Sequence, residues 1–249
     1  MLKEIHEQPS VLKDTQQRYD DEYFIDFETK FSDLLKSYKI ILVGCGTAYH
    51  AAMIGEYYFN KLTSCDVSSE HASELRYKNL PHKKCLFVFI SQSGETMDTL
   101  MALKYVKKYS HKAIVITNSL QSTMVREADF TIPTYAQKEV GVASTKAFTC
   151  QILSLANLAI QIGKIDKSIN ISQYNKYHKS LKLLPTKLKK LINDFTPVAK
   201  KISKKISLAN SCYFIGRNIG YPVALDGSLK LKEISYMHSE AFAGGEMKH

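Results

Sequence analysis

The sequence lacks any apolar run of the roughly 18 residues that a membrane-spanning helix needs. The segment from Met1 to Pro9 also lacks the apolar core of a signal peptide. The five cysteines are scattered, with no CxxC pair and no Cys/His spacing typical of metal ligands. Membrane insertion and secretion are therefore not expected. Reduced thiols in a soluble, cytoplasmic protein are the simplest interpretation.

Acidic residues are scarce, because 34 lysines and arginines face 24 aspartates and glutamates, which leaves a formal net charge of +10. The excess is local: ten lysines lie between Lys176 and Lys205, and Asp194 is the only acid among them. Leucines and isoleucines recur there at helical spacing, which indicates amphipathic helices with a lysine-rich, solvated face. No helix-turn-helix, zinc-finger or RRM signature accompanies the charge, so nucleic-acid binding is the weaker alternative.

From Lys39 onward, short apolar strands alternate with predicted helices. Continuous apolar runs such as Cys85–Ile90 are typical of strands buried on both faces of a sheet. The predicted strands are 39–44, 65–69, 85–90, 112–117 and 129–133, and the predicted helices are 49–62, 72–77, 96–109, 124–128 and 144–162. This alternation predicts an α/β fold, in which a parallel sheet is flanked by helices in three layers.

The same plan begins again after the lysine-rich stretch, with a predicted strand at 211–217 and a predicted helix at 221–237. We therefore expect four segments: an N-terminal linker or helical segment at 1–35, a first domain at 36–165, a lysine-rich helical connection at 166–206, and the start of a second domain at 207–249. The last segment is too short for a complete parallel sheet of its own.

The run Ser91-Gln92-Ser93-Gly94-Glu95-Thr96 directly follows the most apolar strand. Ligands of open parallel sheets bind at the carboxyl ends of the strands. Hydroxyl groups, a flexible glycine and the free N–H groups of a following helix together suit a phosphate group. The run matches neither GxxxxGK[ST] nor GxGxxG, so a triphosphate or a dinucleotide is not expected. Helix capping is the alternative, and it explains one hydroxyl more readily than three around one glycine.

Other polar residues follow strands or lie on predicted helices. Thr47 follows the first strand, and Ser144 precedes the long apolar helix, where capping alone would explain it. Lys230 and Glu233 lie three residues apart on one helix face. Such a pair could move a proton between adjacent carbons and stabilise an enolate, although on spacing alone an exposed ion pair is the more ordinary explanation. His249 is a candidate acid or base, or a terminal residue with no role.

Together these segments resemble one family, the isomerase part of glutamine–fructose-6-phosphate aminotransferase, also called glucosamine-6-phosphate synthase. That part is built from SIS (sugar isomerase) domains. A Ser-Gln-Ser-Gly-Glu-Thr run is typical of SIS domains in general, whereas the segments 141–148 and 229–236 are more specific to this family. The other matching segments are Lys3–Pro9, Cys45–Thr47, Ala72–Tyr77 and Gly245–His249.

The resemblance implies a role for each candidate residue. The implied phosphate ligands are Ser91, Gln92, Ser93 and Thr96, and the implied contacts to the sugar chain are Thr47, Val142 and Ser144. Glu233 would shuttle the proton between C1 and C2, with Lys230 beside it. His249 would open the sugar ring, and it would reach the site from the neighbouring subunit of a homodimer. The ligands implied are fructose 6-phosphate and glucosamine 6-phosphate, and neither a metal nor another cofactor is implied.

Several departures from the family pattern bear on activity. The glutaminase domain, which supplies ammonia, is absent from this sequence, and we expect the chain to stop within the second SIS domain. Ala48 stands where the family has serine, and Asn218 where glycine is usual. The sequence thus predicts binding and ketose–aldose isomerisation of fructose 6-phosphate as part of glucosamine-6-phosphate synthesis, incomplete in this chain alone. A non-catalytic sugar-phosphate-binding module is the alternative.

Overall fold

A computed structural model of the protein describes residues 1–19, 21–31 and 39–249. Its central sheet has the strands β1 (Lys39–Gly44), β2 (Asp66–His71), β3 (Cys85–Ile90), β4 (Lys112–Thr117) and β5 (Phe130–Pro133). The strand order is β2-β1-β3-β4-β5, and every neighbouring pair is parallel. The predicted parallel sheet is confirmed, and β1, β3 and β4 have the predicted bounds.

Helices cover both faces of the sheet. They are α1 (Leu2–Arg18), α2 (Asp21–Phe31), α3 (Thr47–Leu62), α4 (Ala72–Leu75), α5 (Met97–Lys108), α6 (Thr123–Glu127) and α7 (Lys146–Ile165). One apolar core lies between the sheet and α2, α3 and α7. A second core lies between the opposite face and α4, α5 and α6. The fold therefore has the three layers that the sequence predicted.

The alternation of side chains in β1 explains why the middle of this strand is continuously apolar. Ile40 and Leu42 lie in the core with α3 and α7, whereas Ile41 and Val43 lie in the core with α5. Because helices cover both faces, the four consecutive positions from Ile40 to Val43 are all apolar, and not only every second one. The carboxyl end of the strand is thereby held in the middle of the sheet.

Helix α7 is long and apolar enough to cross a membrane, by length and composition, and it is the one such helix among the described residues. In the fold, it packs against α3 and the sheet, with Leu155, Leu158 and Ile162 fully buried. Burial inside the protein accounts for its apolar composition.

The lysine-rich stretch forms a single helix, α8 (Ile171–Ile206), where the sequence indicated more than one. Pro185 and Pro197 lie inside it, and the helix continues through both, although each removes one backbone hydrogen-bond donor. Tyr174 is the only buried residue among its 36 residues, all of which are described. The lysines therefore lie along an exposed surface.

The chain after α8 forms a βαβ unit with β6 (Ser211–Gly216), α9 (Gly220–Ser235) and β7 (His238–Ala243), followed by a 3-10 turn at Glu246–Lys248. Strands β6 and β7 pair in parallel as a separate two-stranded sheet. The sequence did not predict β7, because His-Ser-Glu-Ala-Phe-Ala is only weakly apolar. Helix α9 ends at Ser235, earlier than predicted, because Tyr236 has a left-handed φ of 58°.

The N-terminal helix α1 packs against the rest of the fold through Val11 and Leu12, which lie in a third core with α7 and α8. The predicted boundary between residues 35 and 36 lies outside the described residues. The predicted end of the first domain at residue 165 coincides with the end of α7. The division into two domains stays a proposal.

Candidate functional site

The carboxyl ends of β1 and β3 lie side by side in the sheet. From β1 the chain continues to β2 on one side, and from β3 it continues to β4 on the other. In an open α/β sheet this change of direction leaves a crevice at the carboxyl ends of the two strands, and ligands bind there. Thr47 follows β1 and the run Ser91–Thr96 follows β3, so both predicted segments border the crevice.

The loop Ser91–Thr96 is held in shape by its own hydroxyl groups. The hydroxyl oxygens of Ser91 and Thr96 are 2.9 Å apart, and the Gly94 N–H donates to Ser91 Oγ at 3.0 Å. Helix α5 begins directly after the loop, so its first N–H groups, which have no partner within the helix, lie next to these hydroxyls. This combination of N–H and hydroxyl donors is suited to an anion of the size of a phosphate.

Capping of α5 does not explain the hydroxyl group at the end of this loop. Thr96 is the N-cap residue of α5, but its side chain makes no capping hydrogen bond. The Glu95 carboxylate accepts a hydrogen bond from the Thr123 N–H at the start of α6, at 2.6 Å. The Glu95 N–H donates to Ser93 Oγ at 3.1 Å. Glu95 therefore ties the loop to α6, and the hydroxyl of Thr96 stays beside that of Ser91.

Only glycine fits at position 94. Its φ of +65° lies in the left-handed region, and a Cβ added there would come within 2.1 Å of Ser122 Oγ. Ser122 is buried, and its hydroxyl has no hydrogen-bond partner within the described part of the chain. The glycine thus lets the loop pass directly over the start of α6.

Gln92 is anchored through its backbone to the end of β4. Its carbonyl accepts from the Asn118 N–H at 3.1 Å and from the Thr117 hydroxyl at 3.3 Å, and these bonds join the ends of β3 and β4. The Gln92 side chain borders an open cleft of about 530 Å³, which Arg18 and Lys138 also line. Asp14 lines the cleft as well, so two cations and one carboxylate lie next to the loop, and their net positive charge favours an anionic ligand.

Helix α9 brings the predicted catalytic pair to the same end of the sheet. It packs against α3, and the Lys230 ammonium donates a hydrogen bond to the Thr47 hydroxyl. Lys230 Nζ is 3.9 Å from a carboxylate oxygen of Glu233. The structure thus joins Thr47, Lys230 and Glu233, although Thr47 and Lys230 are 183 positions apart in the chain.

Asp226 completes this cluster, and the sequence analysis missed it. Its carboxylate lies 3.4 Å from Lys230 Nζ and 3.2 Å from His50 Nδ1, and the residue is buried. A buried carboxylate needs such partners, because desolvation without them is costly. The signal that could have found it is the spacing of four residues between Asp226 and Lys230 on one helix.

A stacked ring pair lies beside this cluster, at the end of β2. The rings of Tyr49 and His71 have their centroids 3.5 Å apart. Burial lowers the pKa of His71, with the charge of His50 acting in the same direction, and burial raises the pKa of Tyr49. The lowered pKa favours the neutral form of His71.

The segment before α7 carries Val142 and Ser144, the remaining predicted sugar contacts. Val142 is 89% exposed, so its side chain is open to solvent. Ser144 is not the cap: the N-cap residue is Thr145, and the Glu139 carboxylate accepts from its N–H at 2.8 Å and from the Ser144 hydroxyl at 3.1 Å. Glu139 therefore holds this segment at the start of α7.

His249 lies apart from the pair in this single chain. It is exposed, and its N–H donates to the Glu246 carbonyl at 3.0 Å. No hydrogen bond or ion pair in the described residues joins it to Lys230 or Glu233. Likewise, no three His, Cys, Asp or Glu side chains are grouped as a metal site would require in residues 1–19, 21–31 and 39–249.

Comparisons with known proteins identify the family to which the chain belongs. The model of the SIS domain family matches residues 33–161. The isomerizing glutamine–fructose-6-phosphate aminotransferase of Clostridium tetani is 42% identical over the whole chain, which covers 42% of that relative. A Rhizobium leguminosarum enzyme of the same name is 40% identical, with 100% of this chain and 41% of the enzyme covered. The chain spans about two fifths of the length of these curated relatives.

Solved structures give the same result. The C-terminal domain of glucosamine-fructose-6-phosphate aminotransferase from Francisella tularensis is 40% identical, with a TM-score of 0.93, and the match covers 100% of this chain and 71% of that one. Tagatose-6-phosphate ketose/aldose isomerase from Escherichia coli shares the fold alone, at 15% identity and a TM-score of 0.80, covering 99% of this chain and 67% of that one. The chain therefore belongs to the SIS domain family and, within it, to the isomerase part of the glutamine–fructose-6-phosphate aminotransferases.

Proposed function

We propose that this protein binds fructose 6-phosphate and interconverts its ketose and aldose forms, as part of glucosamine-6-phosphate synthesis. The observation that carries the proposal is the hydrogen bond from Lys230 to Thr47, which joins the acid–base pair of α9 to the crevice beside the Ser91–Thr96 loop. A phosphate site and a proton-transfer pair at one edge of a sheet are what a sugar-phosphate isomerase requires.

The phosphate would lie on the loop Ser91–Thr96, at the start of α5. The N–H groups of this helix and the hydroxyls of the loop would donate to the phosphate oxygens. The sugar chain would then extend towards Thr47 on one side and towards Val142 and Ser144 on the other. Ala48 offers no hydroxyl, so this chain would hold its ligand with one donor fewer than the family pattern provides.

The chemistry would be a proton transfer between two neighbouring carbons. The Glu233 carboxylate would take the proton from C1 of the open-chain ketose and return it to C2, while the hydroxyl proton of O1 passes to O2, and the reverse reaction would use the same steps. The Lys230 ammonium would stabilise the negative oxygen of the enediolate intermediate. Asp226 would hold Lys230 in place. His249 would open the sugar ring from the neighbouring subunit of a homodimer, and neither a metal nor another cofactor takes part.

Synthesis of glucosamine 6-phosphate also needs ammonia, and the matched relatives are glutamine-dependent by name. We therefore propose a glutaminase domain as the functional partner of this chain. We also propose that the protein acts in the cytoplasm. The chain alone would bind fructose 6-phosphate without making the amino sugar from glutamine.

Calorimetric titration with fructose 6-phosphate tests the binding claim. We expect saturable heat, and its absence at millimolar ligand with a folded protein would overturn the claim. For the chemistry, Glu233→Gln should abolish conversion to glucose 6-phosphate and leave sugar binding intact, because the amide keeps the shape but cannot accept the proton. Glu240→Gln, at an exposed ion pair of the same unit, is the matched control. Isomerisation retained by Glu233→Gln would remove Glu233 from this role.

The alternative function is a sugar-phosphate-binding module without catalysis. The observation in its favour is that the Lys230 ammonium contacts Thr47 and Asp226, contacts that a purely structural role of the pair in holding α9 against α3 would also explain. The isomerase assay separates the two functions, since a module of this kind would bind fructose 6-phosphate and form no glucose 6-phosphate.

A further inference from the structure

Helix α1 and the residue after it lie alongside the segment that connects β5 to α7. Near the end of β5, the Tyr19 hydroxyl donates to the Pro133 carbonyl at 2.5 Å, and the Thr15 hydroxyl donates to the Thr134 carbonyl at 2.6 Å. Tyr19 and Thr15 are both buried. The start of the segment is therefore attached to the carboxyl-terminal end of α1.

The other end of the segment is attached to the first turns of α1 by two carboxylates. The Glu4 carboxylate accepts from the N–H groups of Val140 and Gly141, with the shortest distances 2.6 Å and 2.9 Å. The Glu7 carboxylate accepts from Lys146 Nζ at 2.8 Å, and Lys146 is only 2% exposed. The backbone just before Val142 is thus fixed by Glu4.

The environment of Glu4 shows that it acts as a carboxylate. It is only 6% exposed. Its hydrogen bonds from Val140 and Gly141, with a further one from the N-terminal ammonium at 3.0 Å, lower its pKa to about 2. Gly141 leaves the necessary room, because a Cβ at that position would lie 2.4 Å from Glu4 Oε2. The contact therefore depends both on the charged carboxylate of Glu4 and on glycine at position 141.

We propose that Glu4 is a positioning residue for the sugar site: its carboxylate holds the Val140 and Gly141 amides, and thereby the backbone that presents Val142 and Ser144 to the sugar. This inference rests on the proposed function and adds the N-terminal helix to the site. In the part of the chain that the structure describes, no hydrogen bond or ion pair joins Glu4 to the phosphate loop. Loss of Glu4 therefore weakens binding of the sugar chain and leaves binding of phosphate unchanged, which a general loss of folding would not do.

The test uses the full chain with Glu4→Gln, which keeps the size of the side chain and removes its charge. Glu127→Gln, at an exposed ion pair with Lys104, is the control. Hydrogen exchange at the Val140 and Gly141 amides reports the contact itself. Calorimetric titrations with fructose 6-phosphate and with inorganic phosphate report the two parts of the site separately.

We expect Glu4→Gln to speed exchange at both amides by about tenfold or more, which corresponds to about 1.4 kcal/mol. The Kd for fructose 6-phosphate should rise by a similar factor, and the Kd for inorganic phosphate should stay as in the wild type. Unchanged exchange, or faster exchange with unchanged sugar affinity, would overturn the inference. A wild-type protein that binds neither ligand would overturn the proposed function, while the exchange rates would still report the contact.

Gly141→Ala disrupts the same contact by changing the partner of Glu4. This variant tests the inference if Glu4→Gln does not fold. Its added methyl group displaces the Glu4 carboxylate. We expect the same selective loss of sugar affinity, and in the double variant an effect smaller than the sum of the two. Additive effects would show that Glu4 and Gly141 act independently and would refute the inference.

Discussion

Gly94→Ala is expected to destabilise the protein and to distort the loop Ser91–Thr96. Two independent costs arise at this position. An alanine at a φ of +65° is in the left-handed region, which costs about 1–2 kcal/mol for a residue with a Cβ. The methyl group would also lie 2.1 Å from Ser122 Oγ and 2.5 Å from Ser122 Cβ, and overpacking of this kind costs about 1–3 kcal/mol.

Together these costs predict a loss of about 2–5 kcal/mol in the free energy of unfolding. For a protein of this size, the melting temperature should fall by about 4–20 °C. The loop must move to relieve the clash, so the affinity for inorganic phosphate should fall as well. Thermal melts followed by circular dichroism and a phosphate titration measure the two effects.

Two further variants separate the causes. Gly220→Ala is the matched control, because no atom lies within 4 Å of the added methyl group, and stability should be unchanged or slightly higher. Adding Ser122→Gly to Gly94→Ala removes the nearest clashing atoms and should restore the packing part of the loss, leaving the backbone part. A Gly94→Ala protein with wild-type melting temperature and phosphate affinity would refute the argument.

Three other predictions concern pH, thiol reactivity and association. Because the pKa of Glu4 is lowered to about 2, its contribution to stability is complete above about pH 4.5 and is lost as the pH falls towards 2. The melting temperatures of the wild type and of Glu4→Gln should therefore converge over that range. Burial raises the pKa of Cys150 to about 12, so mass spectrometry should find Cys212 alkylated and Cys150 intact in the folded protein. Tyr213 and Ile215 are 53% and 56% exposed on β6, so light scattering should show association that Ile215→Ser reduces, and a sharp monomer at high concentration would contradict this.

The central strands could be predicted from the sequence because their apolar runs are continuous. Cys85–Ile90 and Lys112–Thr117 were bounded correctly, since helices cover both faces of the sheet and favour apolar residues at consecutive positions, which here are Cys85 to Ile90 and Ala113 to Ile116. The strand His238–Ala243 was missed for the converse reason. Its burial is partial, so its composition carries little signal.

The sequence revealed some parts of the candidate site and not others. Ser91–Thr96 could be found because its hydroxyls, glycine and helix start are adjacent in the chain. The spacing of Asp226 from Lys230 is visible in the sequence, but the contact between Asp226 and His50, 176 positions away, is decided by the fold. The sequence could not decide whether Lys230 and Glu233 form only an exposed ion pair. The packing of α9 on α3 is what brings Lys230 into contact with Thr47.

The sequence by itself determined the strand–helix alternation, the phosphate-suited loop and the family resemblance, because each is a local pattern of residue types. The tertiary structure alone decided which residues of distant segments meet. It joined Lys230 to Thr47, and it attached Glu4 to the backbone of Val140 and Gly141. Such contacts depend on the strand order and on helix packing, and these arise from burial over the whole chain.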